Sequence, residues 1–227
     1  MSFFLQLCIT GIAIGSVYAL LALGFVLIYK SSSVFNFAQG ELLMLGAYIG
    51  WYIAEKAGFP IWATFISMVG VSIILGLVIE RLCLRPMIGQ PIIGIIMMTI
   101  GLSFLLMGVV VLLFGEYSSV AFHAWLPMEP WRVGMIAISQ QQVYIGIIAL
   151  ILIFALMFFF QRTRTGLFMR AAAEDHEASQ AVGIRVTRVF AYSWIIAIFT
   201  AAVGGILLGS LTGIYVTIRD YGLRVFP

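Results

Sequence analysis

Charge is what this sequence has least of. Aspartate, glutamate, lysine and arginine together make up 9% of it, against roughly a quarter in a soluble domain. So small a polar complement excludes an ordinary water-soluble fold. Cysteine is nearly absent: Cys8 and Cys83 lie within or at the edge of apolar runs and lack metal-ligand spacing, so neither a disulfide framework nor a zinc site is indicated. The two histidines, His123 and His176, are isolated from one another. Catalytic signatures are missing as well. There is no G-x-x-x-x-G-K-[ST] phosphate loop, no H-E-x-x-H, no G-x-S-x-G elbow and no G-x-G-x-x-G after a strand. The pI near 9.0 and net charge of +3 do not point to nucleic acid, because the arginines are dispersed between apolar runs and form no basic stripe with interleaved aromatics. If the chain moves anything uphill, the energy must come from an ion gradient or from a partner.

Apolar residues are what it has most of: 63% of the chain, with a mean hydropathy of +1.14. A helix rises about 1.5 Å per residue and a bilayer's hydrocarbon core is about 30 Å thick, so a span needs about 20 mostly apolar residues. Candidates fall at 3–29, 36–54, 61–79, 92–114, 141–160 and 190–213, which predicts an all-α, polytopic integral membrane protein of about six transmembrane or re-entrant helices. The second is the weakest, since Asn36, Gln39, Gly40 and Glu41 occupy its opening turns. The first run reaches Tyr29 and has no basic residue before it, which makes it an uncleaved span and not a signal peptide. Strict alternation puts Lys30, Arg81, Arg85 and the arginines of 161–189 on one side, leaving Lys56 and Arg132 on the other, eight against two with Arg219 and Arg224 uncounted. The positive side is expected inside and the N-terminus outside, unless 36–54 is re-entrant.

Small residues recur every four positions at Gly11, Gly15 and Ala19, at Gly46 and Gly50, and at Gly205, Gly209 and Gly213. Such stripes let helices approach closely in lipid. Tyr29, Trp51, Tyr52, Trp62, Trp125, Trp131 and Tyr144 fall near span ends, as an interfacial aromatic belt does.

One polar segment interrupts the apolar pattern: "TGLFMRAAAEDHEASQAVGIRVTR", residues 165 to 188. From Leu167, the residues Leu167, Ala171, Ala178, Ala181 and Val182 fall largely on one helical face, with Arg170, Glu174, Asp175 and Glu177 over much of the rest. Arg170 and Glu174 are spaced for an i,i+4 pair, and Gly183 is placed to end the helix in a left-handed turn. Helices that lie on headgroups favour lysine and arginine, whereas this polar face is acidic as well as basic, so a protein partner is the better inference.

Within that segment "EASQAVG", Glu177 to Gly183, resembles the EAA-x-x-x-G core of the cytoplasmic loop in permease subunits of bacterial ABC importers, with Ser179 in place of the second Ala. With "ALLALGFVLIYKSSSVFNFAQGELLMLGAY" and "MMTIGLSFLL" at 97–106, the chain is similar over nearly its whole length to the permeases of the branched-chain amino acid importers. The Leu-Pro of the fuller loop pattern is absent. The resemblance implies one transmembrane permease domain over 1–227, with a cytoplasmic coupling loop at 161–189 and an extracytoplasmic loop at 115–140. Family members continue beyond "YGLRVFP", so the expectation is a permease lacking its C-terminal spans. Arg170, Glu174, Asp175, Glu177, Ala178 and Gly183 are then the expected ATPase-coupling residues. The implied partners are ABC ATPase subunits, a second permease subunit as hetero- or homodimer, a periplasmic solute-binding protein docking near Glu116, Glu129 and Arg132, and a small amino acid as cargo. The implied location is the bacterial inner membrane, with no nucleic acid, metal or cofactor and no catalysis by the chain itself.

Polar groups at membrane depth must line a cavity or be satisfied by neighbouring protein. Asn36, Gln39 and Glu41 are accordingly the candidate translocation path, with Ser31 to Ser33 read as a wet turn. Thr99 and Ser103 can add hydroxyls to that path, although bonding back to their own helix is the commoner use. The alternatives are a urea or short-amide permease of the same family, a gradient-driven transporter with Glu41 or Glu80 as coupling carboxylate, and a non-transporting membrane assembly subunit.

Overall fold

The computed structural model describes residues 2–32, 35–87, 90–115, 119–120, 129–133 and 136–224. Long apolar runs become helices because only intra-segment hydrogen bonds can satisfy the backbone in hydrocarbon. In chain order these are α1 (Ser2–Ser32), α2 (Gln39–Trp51), α3 (Ile61–Ile79), α4 (Ile92–Phe114), α5 (Gln140–Arg162), α6 (Arg164–Glu174), α7 (His176–Ala181), α8 (Val186–Thr212) and α9 (Arg219–Leu223). Pro60 and Pro91 stand immediately before α3 and α4, where a missing N–H costs nothing. α2 and α3 each run on into a π-helical turn, Tyr52–Lys56 and Glu80–Leu84. A hairpin of β1 (Pro130–Val133) and β2 (Ile136–Ser139), pairing Pro130 with Ser139, precedes α5. It is a local feature that the sequence reading did not foresee.

Five described helices are long and apolar enough to cross a membrane: α1, α3 with its continuation, α4, α5 and α8. The sixth expected span is α2, which differs in kind. Its thirteen α-helical residues make about 20 Å of helix before the π-helical turn at Tyr52–Lys56, and nearly all of the thirteen are buried within the protein. α8 is the most enclosed of the five, with 67% of its apolar window buried, while only 17% of that of α5 is. The bundle is therefore built around α1, α2 and α8, and α3, α4 and α5 turn large apolar side chains such as Ile74, Leu112 and Phe154 outward.

Contacts fix the directions. Leu21 packs on Gly204, and Gly24 faces Ala197 and Thr200, so α1 and α8 are antiparallel. Gly46 meets Ala202 and Gly50 meets Ile206, so α2 runs parallel to α8. At one face Thr10 bonds Gln142, Gln141 bonds the Ser210 carbonyl, and Val120 pairs with Ile214. At the other lie the end of α1, the turn after α3 and the α5–α8 connection, because Gly76 of α3 abuts Ile195 near the start of α8. The arrangement matches the alternation inferred from charge.

Gly46, Gly50 and Gly205 make the close helix contacts expected of them, a Cβ at Gly46 overlapping Ala202 and one at Gly205 the Leu43 carbonyl, whereas Gly209 faces Ile214 just beyond its own helix and Gly213 ends α8 without a close contact. The Gly11–Gly15 stripe is a correction. Nothing lies within 4 Å of where a Cβ would stand on either residue, so this face of α1 packs on no other part of the described protein.

Candidate functional site

α2 does not begin at a membrane surface. Thr99 of α4 lies beside the Phe35 carbonyl at 3.3 Å, the Ser103 hydroxyl lies beside the Glu41 carboxylate, and Tyr48 stacks on Phe114 at 5.0 Å. α2 and α4 thus run side by side, and Ser103 is the twelfth of the twenty-three residues of α4. The start of α2 is therefore level with the middle of a spanning helix. Because Tyr48 reaches the far end of α4, α2 continues to the opposite face and does not return to the side it came from.

The turn into α2 is made by Asn36. Its Oδ1 accepts from the Ala38 N–H at 3.1 Å, its carbonyl accepts from the Gln39 N–H at 3.3 Å, and its Nδ2 donates to Gln39 Oε1 at 3.2 Å. Asn36 and Gln39 are wholly buried, and Glu41 is 5% exposed. Two polar atoms at this point have no hydrogen-bond partner among the described residues, Gln39 Nε2 and Glu41 Oε2. An unpaired buried polar atom costs on the order of 1–3 kcal/mol, more for a charged group. The Thr99 hydroxyl is 2.9 Å from the Ile96 carbonyl of its own helix, which is the back-bonding expected of it, and also faces Phe35. Asn36, Gln39, Glu41, Thr99 and Ser103 are thus brought together. Ser31 closes α1 by donating to Ile28, and Ser33 lies outside the described residues.

The sequence reading missed Arg219. After α8 ends at Gly213, where φ is +82°, the chain turns back to mid-depth and α9 packs its Gly222 against Gly40 of α2, backbone to backbone. Tyr221 meets Tyr18 in the middle of α1. Arg219 Nη1 then stands 3.8 Å from Glu41 Oε1 and 2.7 Å from Met107 Sδ, while its Nε is 3.6 Å from Asp220. A basic residue in a chain so poor in charge needs an acidic partner, and the isolated Glu41 was the available signal. Glu80, the other carboxylate considered for ion coupling, is held by both Nε and Nη2 of Arg85 at 3.3 and 3.4 Å.

The polar segment at 164–184 is two helices, which corrects the single coupling helix expected from Leu167 to Gly183. The break is at Asp175, whose φ of −153° is extended and whose Oδ1 accepts from the Ala178 N–H at 3.0 Å. An N-cap of this kind satisfies a helix-end donor that would otherwise be orphaned. Thr163 caps α6 in the same way through Gly166. The buried face of α6 is Gly166, Met169 and Ala172, so Leu167 lies outward, as does Val182 beyond α7. Among the described ion pairs there is none between Arg170 and Glu174. Arg170 instead folds back over Phe160 and donates to the Gln161 carbonyl at 3.4 Å. Glu174 and Ala178 are exposed, the Glu177 side chain lies outside the described part, and Glu116 and Trp125 also fall outside it. Gly183 ends α7 as expected: its φ is +88°, its N–H donates to Gln180, and the Ile184 N–H donates to Ser179. Among the described residues no group of three or more potential ligands is placed to hold a metal.

A bundle of membrane-crossing helices around a short buried helix, with polar side chains gathered at mid-depth, is the build of a polytopic membrane permease. The chain belongs to the family described as branched-chain amino acid transport system / permease component, whose model matches residues 7–225. It is 31% identical over 225 residues to the high-affinity branched-chain amino acid transport system permease protein LivH of Escherichia coli K12, covering 93% of this chain and 72% of that protein. LivH of Salmonella typhimurium LT2 matches at the same identity and coverage. The corresponding permease BraD of Pseudomonas aeruginosa is 30% identical over 224 residues, again across 93% of this chain and 72% of the relative. No solved structure matches the chain.

Proposed function

We propose that this chain is the membrane-spanning subunit of an ABC importer that carries branched-chain or other small amino acids inward across a bacterial inner membrane. Transport is driven by partner ATPase subunits, and the pathway is completed by a second permease subunit. A periplasmic solute-binding protein delivers the cargo to the face carrying the 115–140 segment. The observation that carries this reading is the buried cluster at the start of α2, with Gln39 Nε2 and Glu41 Oε2 unpartnered beside Arg219. A carboxylate, an amide donor and a guanidinium complement the two charged ends of an amino acid. The helix N-terminus adds partial positive charge for an anionic group, as at the broken helices of other transporters. On the opposite face, Glu174, Glu177, Ala178 and Gly183 are the proposed contact with the ATPase. Arg170 and Asp175 serve that contact indirectly, by holding α6 and α7 in place.

Accessibility of the cluster tests the proposal. Cysteine placed at Asn36 or Gln39, in a chain with Cys8 and Cys83 replaced, reacts with a small water-soluble thiol reagent in the assembled transporter, and the loaded binding protein changes the rate. Complete inertness under every condition, in protein that elutes as folded, would mean the cluster is sealed and the pathway lies elsewhere.

A further inference from the structure

The connection between α6 and α8 borders a cavity of about 320 Å³ that shares only Gly183 with the proposed ATPase contact. Thr165 and Phe168 of α6 form one wall, and Val182, Arg185, Arg188 and Tyr192 form most of the other. No carboxylate among the described residues lines it. Neither the Arg185 nor the Arg188 guanidinium has a hydrogen bond or ion pair among the described residues, in contrast to Arg85, Arg170 and Arg219, each of which is engaged. Two guanidiniums and a hydroxyl on one cavity, without a counter-charge among the described residues, make a site for an anion. Guanidinium in particular matches the planar, two-point geometry of phosphate oxygens.

The rim selects among anions. Phe168, Tyr192 and Val182 are 45%, 46% and 78% exposed, so the two exposed arginines stand beside apolar surface for which a free inorganic ion has no use. The cavity also lies where two membrane-crossing helices reach the same face, since α5 ends at Arg162 and α8 begins at Val186. Tyr192 stands six residues into α8 from there, about 9 Å along the axis towards the hydrocarbon. We propose that this cavity binds the phosphate-bearing headgroup of an anionic phospholipid, with phosphate between Arg185 and Arg188 and an acyl chain running over Phe168 and Tyr192. Basic pockets between membrane helices are suited to such headgroups. The proposal is independent of what the chain carries.

The test uses the full chain in phosphatidylcholine nanodiscs, with a fluorophore attached through Val182→Cys in a background without Cys8 and Cys83. Phosphatidylglycerol with brominated acyl chains should quench this probe as well as brominated phosphatidylcholine does at about thirtyfold higher mole fraction, because the two arginines near the surface contribute about 1 kcal/mol each and every 1.4 kcal/mol is about tenfold. Arg185→Gln with Arg188→Gln abolishes the preference, whereas Arg81→Gln, on the same face but outside the cavity, preserves it. In the unaltered arginine background, salt at about 1 M, where the Debye length is about 3 Å, should lower the preference. Equal quenching by the two lipids, or a preference that survives both the double substitution and high salt, overturns the proposal. So does displacement of the lipid by an equal concentration of inorganic phosphate, which would make this a site for a free anion.

Discussion

Glu41 and Arg219 come from opposite ends of the chain and meet at mid-depth, where a lone charge is costly. Replacing Arg219 by Met leaves the Glu41 carboxylate buried without its cation and should destabilise the folded protein on the order of 1–3 kcal/mol or more. Adding Glu41→Gln to that variant removes the stranded charge and should recover much of the loss. Unfolding in detergent, read as a double-mutant cycle, checks both; additive effects would show that the pair is not coupled. The glycines give a sharper contrast. Gly46→Leu drives a side chain into Ala202 and should cost at least about 1–3 kcal/mol, while Gly15→Leu meets open space and should stay within about 0.5 kcal/mol in the isolated chain. Asn36, Gln39 and Glu41 were legible in the sequence because polarity inside an apolar run stands out. Arg219 was not, since its partner lies on a distant segment and sequence spacing carries no information about that encounter. Nor does the spacing of a glycine stripe say which stripe has a neighbour.

At the scale of elements, the end of α7 was legible and the break before it was not. Gly183 can adopt its left-handed φ without strain, so its position after an apolar-patterned stretch marks a helix terminus. The pattern from Leu167 to Val182 reads as one helix because aspartate is tolerated within helices. In the structure Asp175 leaves the helix and caps the next one, and within α6 it is Met169 and Ala172 that face inward while Leu167 is exposed. Gly183→Val should impose about 1–2 kcal/mol of left-handed strain, and Asp175→Ala should remove a cap worth about 1 kcal/mol. Neither change touches the apolar spans, so membrane insertion should be normal. Co-purification of an ATPase subunit with the chain, and the coupling of ATP hydrolysis to uptake, should both weaken. Glu177→Lys, which reverses a charge at the same contact, should act in the same direction. Normal ATPase binding and transport in all three variants would remove the coupling role from this loop.

For the whole molecule, alternation of spans was readable because hydropathy and the placement of lysine and arginine are independent signals that agreed. The burial hierarchy was not readable, since α3, α5 and α8 are all strongly apolar and only packing separates a central helix from a peripheral one. A reporter fused after Arg164 should be cytoplasmic and one fused after Glu129 extracytoplasmic, and finding both on one side would discard the topology. The central claim is that a solute crosses through the α2 cluster using energy that this chain does not itself generate. Uptake of a labelled branched-chain amino acid into proteoliposomes containing the chain with its second permease subunit, ATPases and binding protein tests it most directly. The account predicts uptake that requires internal or external ATP on the side of the ATPases, continues when ion gradients are dissipated, and is lost on Gln39→Leu while ATPase binding remains. Uptake that proceeds on an ion gradient without ATP, or that is unaffected by Gln39→Leu, would contradict it.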